Sequence, residues 1–129
     1  MYRNAIRKAG NAGLVTTTAG NDLLHTLPTA ITPRGPRTAI ITKIMAYNPG
    51  ANATLQFGTL DRTVAGALFV QLLPILVAVG TWDNEWLETE IPPIEFASNT
   101  TIGANGRVGD IYVLSSLANV DIVIEVAEK

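Results

Sequence analysis

The sequence predicts an all-β chain, an antiparallel two-sheet sandwich of jelly-roll type with an N-terminal arm, on three observations. Helical periodicity is nearly absent after residue 10, while period-two alternation of apolar and polar residues recurs, bounded by Gly, Pro and Asn. About eight or nine such runs fit the chain, with no helix long enough for a βαβ unit between them. The proline-rich stretch Pro28–Pro36 and the uneven spacing of the runs favour crossing connections over a simple meander. Residues 1–12 are expected as an arm or short helix, and residues 13–129 as one sandwich domain.

Each element has its own reason. Gly13–Ala19 is a Thr-rich strand, closed by a turn at Gly20-Asn21-Asp22. Alternation over Asp22–Leu27 puts Leu23, His25 and Leu27 on one side, so His25 is expected among apolar neighbours. Arg37–Asn48 is a long strand with Ile40, Ile44 and Ala46 opposite Ile41, Met45 and Tyr47, and a strand apolar on both sides asks for cover on both. Asn48-Pro49-Gly50 is a turn, since Pro fixes φ and Gly accepts positive φ. Ala51–Thr59 alternates cleanly, with Ala53, Leu55 and Phe57 inward. Pro74 ends the strand Ala67–Leu73 or places it at an edge, and Ile75–Val79 offers a further strand. Trp82–Ile91 reads as strand or one helical turn, and Pro92-Pro93 forces an extended break before Ile94–Ala97. Asn105-Gly106 signals a hairpin. The last strand, Asn119–Ala127, buries Val120, Ile122, Ile124 and Val126 and shows Asp121 and Glu125 to solvent.

Composition narrows the function. Cysteine is absent and His25 is the one histidine, which removes disulfides, thiol chemistry and any site needing two imidazoles. No catalytic residue, cofactor or metal is expected, and the chain reads as a non-enzyme. Charged residues make up 16% of the chain, against about 25% in an average soluble domain. A small protein needs more polar cover, not less, so part of this surface is expected to lie against other copies or a partner. The net charge is −2, and the eight aromatics form no basic–aromatic strip, so nucleic acid is not an expected partner. The halves differ: residues 1–62 hold seven bases and two acids (net +5), residues 63–129 two bases and nine acids (net −7). Opposite patches of this kind let like copies pair. The N-terminus lacks the apolar core of an export signal. A spanning helix needs about 20 apolar residues, and the Ala67–Gly80 run is shorter and carries Gln71 and Pro74, so no membrane role is expected.

Three patches are candidates for binding. Tyr2, Arg3, Arg7 and Lys8 form a basic N-terminal segment without an acid, suited to the acidic surface of a neighbouring subunit or a larger assembly. Leu68, Phe69, Val70, Leu72 and Leu73 place apolar side chains on both faces of one strand, which suits contact between copies. Trp82, Asp83, Glu85 and Trp86 sit in an acidic stretch with Glu88, Glu90 and Glu95. Their indoles and carboxylates offer the alternative of a carbohydrate-binding module. Asp83-Asn84-Glu85 begins like a calcium loop but lacks the following glycine and the spaced ligands.

The stretch Ile40–Thr59 (IITKIMAYNPGANATLQFGT) and the closing strand Val120–Val126, in a cysteine-free chain rich in Thr, Ala and Gly, resemble small β-sandwich virion proteins. The nearest comparison is the phage capsid decoration (cement) proteins. That resemblance implies a homo-oligomer, a trimer for example, docked by many contacts on a capsid shell at the virion surface. Without a viral origin the absence of an export signal points to the cytoplasm. No functional residue is carried over by it.

Overall fold

The computed structural model describes residues 6–18, 20–26, 38–48, 51–61, 68–78, 85–97, 102–103, 106–107 and 110–128. Among them the chain forms strands, turns and loops and no helix. The strands are β1 (Ile6–Thr18), β2 (Asn21–His25), β3 (Thr38–Tyr47), β4 (Ala53–Asp61), β5 (Leu68–Gln71) and β6 (Leu76–Ala78). They continue as β7 (Glu85–Leu87), β8 (Phe96–Ala97), β9 (Ile102–Gly103), β10 (Gly106–Arg107), β11 (Ile111–Ser115) and β12 (Ala118–Glu128).

Two five-stranded sheets hold the chain together, and every described pairing is antiparallel. Sheet A runs β1-β12-β3-β7, with β8 following β7 along the same edge of β3; sheet B runs β2-β11-β4-β5, with β6 following β5 along β4. Each sheet is thus four positions wide. Consecutive strands change sheet from β1 to β4 and again after β6, β8 and β11, which is the double Greek key of a jelly roll. β1 and β2, separated by residues 19 and 20 alone, stand at matching ends of the two sheets. The far ends, β7/β8 and β5/β6, therefore share the opposite side of the sandwich. Between the sheets lies the core, with Phe57, Phe96, Leu55, Ile111, Ile122 and Ile124 among its fully buried side chains.

The N-terminal segment is extended rather than helical from Ile6 onward, paired with β12 from Ile6↔Glu128 to Thr18↔Ala118, so the expected boundary at residue 12 falls inside β1. Residues 1–5 lie outside the described residues. The predicted hairpin is present as β9–β10, with Gly106 paired to Gly103 and Arg107 to Ile102.

Beyond the register shifts of the β1–β12 ladder, between Ala9 and Leu14 and between Thr16 and Thr18, irregularities break the strict alternation in three places. In β3, Lys43 pairs with Glu125 and Ile41 with Val126, so Thr42 is the extra residue. Its presence shifts the phase by one, and Ala39, Ile41, Ile44 and Ala46 all reach the core. Only Ile40 remains as a buried aliphatic of the other phase, and it is covered within the single chain. The cover this strand asks for on its second face is met at Ile40 within the single chain. The Thr42 hydroxyl is satisfied at the bulge, 3.1 Å from the Glu125 carbonyl oxygen and 3.2 Å from Glu125 Oε1.

A second irregularity separates β5 from β6. Leu72 and Leu73 both donate their N–H groups to the Phe57 carbonyl (2.9 and 3.1 Å), and the chain bends there before Pro74. The bend sends the Leu73 side chain into the core at 3% exposure, while Leu72 and Leu76 pack partly against it. Gly58 makes the bend possible: a Cβ there would collide with the Val70 carbonyl oxygen. Strict alternation would leave Leu73 on the face opposite Leu68; the structure removes it from the surface altogether. The third bulge, in β2, positions His25.

Candidate functional site

In β2, Tyr112 pairs with Leu23 and Ile111 with His25, so Leu24 is the extra residue. A bulge turns two neighbouring side chains toward one side. Leu24 and His25 are both buried, and Leu23 faces outward and is exposed. The alternation that put Leu23 beside His25 fails for this reason; Leu27 lies outside the described residues.

His25 meets Glu128. Its Nε2 lies 2.7 Å from Glu128 Oε1, and each residue is 4% exposed. Nδ1 on the other side of the ring is buried without a hydrogen-bond partner among the described residues. Glu128 continues the inward series Val120, Ile122, Ile124, Val126 by one more step of two. Extending the last predicted strand by a residue would have found it, since a carboxylate in a core phase demands a buried partner. Asp22, the acid nearest His25 in sequence, is engaged elsewhere, accepting from the Thr18 backbone N–H and hydroxyl at 3.0 Å each. The pair joins β2 of sheet B to β12 of sheet A, a buried cross-brace between the sheets. Among the described residues no three or more His, Asp or Glu side chains gather where they could hold a metal ion.

The side of the sandwich formed by β5, β6 and β7 is different. Leu68 is 59% exposed, and Val70, Ile75, Val77 and Leu87 are exposed with it. β5 carries neither charge nor proline among its four residues, the devices that usually keep an edge strand from pairing. Of the expected contact residues, Leu68 and Val70 are presented outward, Phe69 and Leu72 are half-buried, and Leu73 is buried in the core.

Beside this rim stands the acidic stretch. Glu85, Glu88, Glu90 and Glu95 are exposed. Lys43 of β3 binds Glu85 at 2.9 Å, and that hydrogen bond, with the carboxylate charge, holds the lysine above its ordinary range. Strand and turn both occur here: after β7 the Glu90 and Ile91 N–H groups donate to the Leu87 carbonyl, and Glu90 Oε2 accepts from the Leu87 N–H. Trp86 packs half-buried against the core. Trp82 and Asp83 lie outside the described residues, as do Tyr2 and Arg3. Arg7 and Lys8 lie on β1, paired with Ala127 and Val126. No described helix is long and apolar enough to cross a membrane. Comparisons with protein-family models, curated proteins and solved structures return no match for this chain.

Proposed function

We propose that this jelly roll is a non-enzymatic structural protein that associates with copies of itself and decorates or reinforces a larger protein assembly, of the kind a capsid shell represents. One observation carries the reading: Leu68 and Val70 are exposed on β5, which among the described residues pairs with β4 alone, and Ile75, Val77 and Leu87 are exposed on neighbouring segments. Apolar side chains beside an unguarded edge are stabilised by contact with another chain, through area removed from water and through new ladder hydrogen bonds. The low charge content of the whole chain agrees with a surface that is partly covered in use. Light scattering on the eluting protein tests it. A mass that is a multiple of 13.7 kDa, reduced to the single-chain mass by Leu68→Lys with Val70→Lys, supports the reading. A single-chain mass for the unaltered protein at high concentration overturns it.

A further inference from the structure

The bulge in β2 serves one side chain. From Asn21 to Leu23 the pairing with β11 is regular, Asn21 opposite Leu114, Asp22 opposite Val113 and Leu23 opposite Tyr112. That end is held in place: Asp22 accepts from the Thr18 backbone N–H and hydroxyl, and the Ser115 N–H donates to the Gly20 carbonyl at 3.4 Å. The irregularity comes next, and it puts His25 rather than Leu24 opposite Ile111.

A regular ladder would suit the leucines equally well. Leu24 would then stand opposite Ile111, a core residue, and residues directly opposite share a face, so Leu24 is directed inward in either register. Leu23 stays outward in both. Only residue 25 changes sides: inward with the bulge, and out with Leu23 without it. A bulge leaves its extra residue outside the ladder, so regular pairing prevails unless something offsets the disruption. The offsetting contact is Glu128, whose Oε1 lies 2.7 Å from His25 Nε2, with both residues buried. Glu128 is fixed from both sides, its backbone paired with Ile6 of β1 and Ala39 of β3. β2 has β11 as its one ladder neighbour among the described residues. Of the two partners, β2 is therefore the one that can slip.

We propose that β2 is a two-register element and that the His25–Glu128 pair is the latch selecting the bulged register. Loss of Glu128 strands the imidazole in the core, and that penalty drives the slip. In the slipped register Leu24 takes the place opposite Ile111, residue 25 turns out of the sandwich, and the connection that follows β2 gains one residue. Two discrete arrangements at one point thus convert the loss of a single side-chain contact into a displacement of the chain beyond it.

Cross-strand backbone contacts, read as nuclear Overhauser effects, test the latch. In the unaltered protein residue 25 should show them to Ile111. His25→Thr with Glu128→Leu removes the latch without burying an unpaired charge, and threonine suits an exposed strand position. In that variant the contacts from residue 25 to Ile111 should be lost and contacts from Leu24 to Ile111 should replace them. Those of Asn21–Leu23 and of β12 should be unchanged. Glu128→Gln keeps a hydrogen-bonding group beside His25 and should leave the unaltered pattern in place. A folded double variant that keeps residue 25 opposite Ile111 overturns the latch, and so does a Glu128→Gln variant that slips. A double variant that does not fold overturns it as well, because the regular register is then not a state the chain can occupy. None of these outcomes bears on self-association.

Discussion

β12 and the β5–β6 edge are both rich in aliphatic residues, and the fold treats them in opposite ways. In β12 the residues Val120, Ile122, Ile124 and Val126 are all buried between the sheets, flanked on both sides by β1 and β3. In β5 and β6, Leu68, Val70 and Val77 are exposed on strands whose one ladder neighbour among the described residues is β4. Hydrophobicity alone does not separate the two; position in the sheet does. A central strand buries one face of its residues by construction, whereas an edge strand buries them fully only if something else arrives. The contrast teaches that one set of aliphatic residues makes the fold and the other is left over for a neighbour.

The contrast is broken or sharpened by stability measurements. The largest effect is expected where β12 carries its one inward charge. Glu128→Ala strands the buried His25 and should cost about 3–5 kcal/mol in urea unfolding. His25→Leu with Glu128→Leu, an apolar replacement of both partners, should recover most of that loss. Within the core series, Ile124→Ala should cost about 2–5 kcal/mol through lost burial and the cavity left behind. The equivalent truncation at the edge, Leu68→Ala, should stay within about 0.5 kcal/mol in the single chain. Equal losses at Ile124 and Leu68 would erase the distinction between the two regions. Between these extremes stands Gly58→Ala, which must displace the Val70 carbonyl and should cost about 1–3 kcal/mol. Amide exchange at Leu72 and Leu73 should then quicken while that of β12 is unchanged, because the damage is confined to the edge.

Much of this architecture is legible in the amino-acid pattern. Alternation in residues 53–57 and 120–126 locates β4 and β12 and gives their inward faces, and Pro74 marks the edge. What escapes is the phase slip. A bulge adds one residue without any signature that alternation can register, so residues 37–48 look apolar on both faces when the Thr42 insertion gathers Ala39, Ile41, Ile44 and Ala46 onto one. At Leu24 the same device turns His25 inward beside a carboxylate 103 positions away, a separation no local window spans. Leu73 escapes for a related reason: the bend over Gly58 is a contact between backbones, and only the structure shows how closely β5 crosses β4. The exposed members of the expected contact patch, Leu68 and Val70, were readable because nothing overrides alternation there.

The placement of β11 and β12 also governs how the chain must come together. β11 lies between β2 and β4, and β12 between β1 and β3, so neither sheet has a continuous ladder until this late pair slots in. Asn119, the second residue of β12, holds φ 65°, a conformation that Asn tolerates better than most residues. During synthesis the earlier strands therefore wait with their ladder groups open, dependent on long-range closure that is slow by topology. β11–β12 is the keystone of the vault: withdrawn, it parts β1 from β3 and β2 from β4 and divides each sheet.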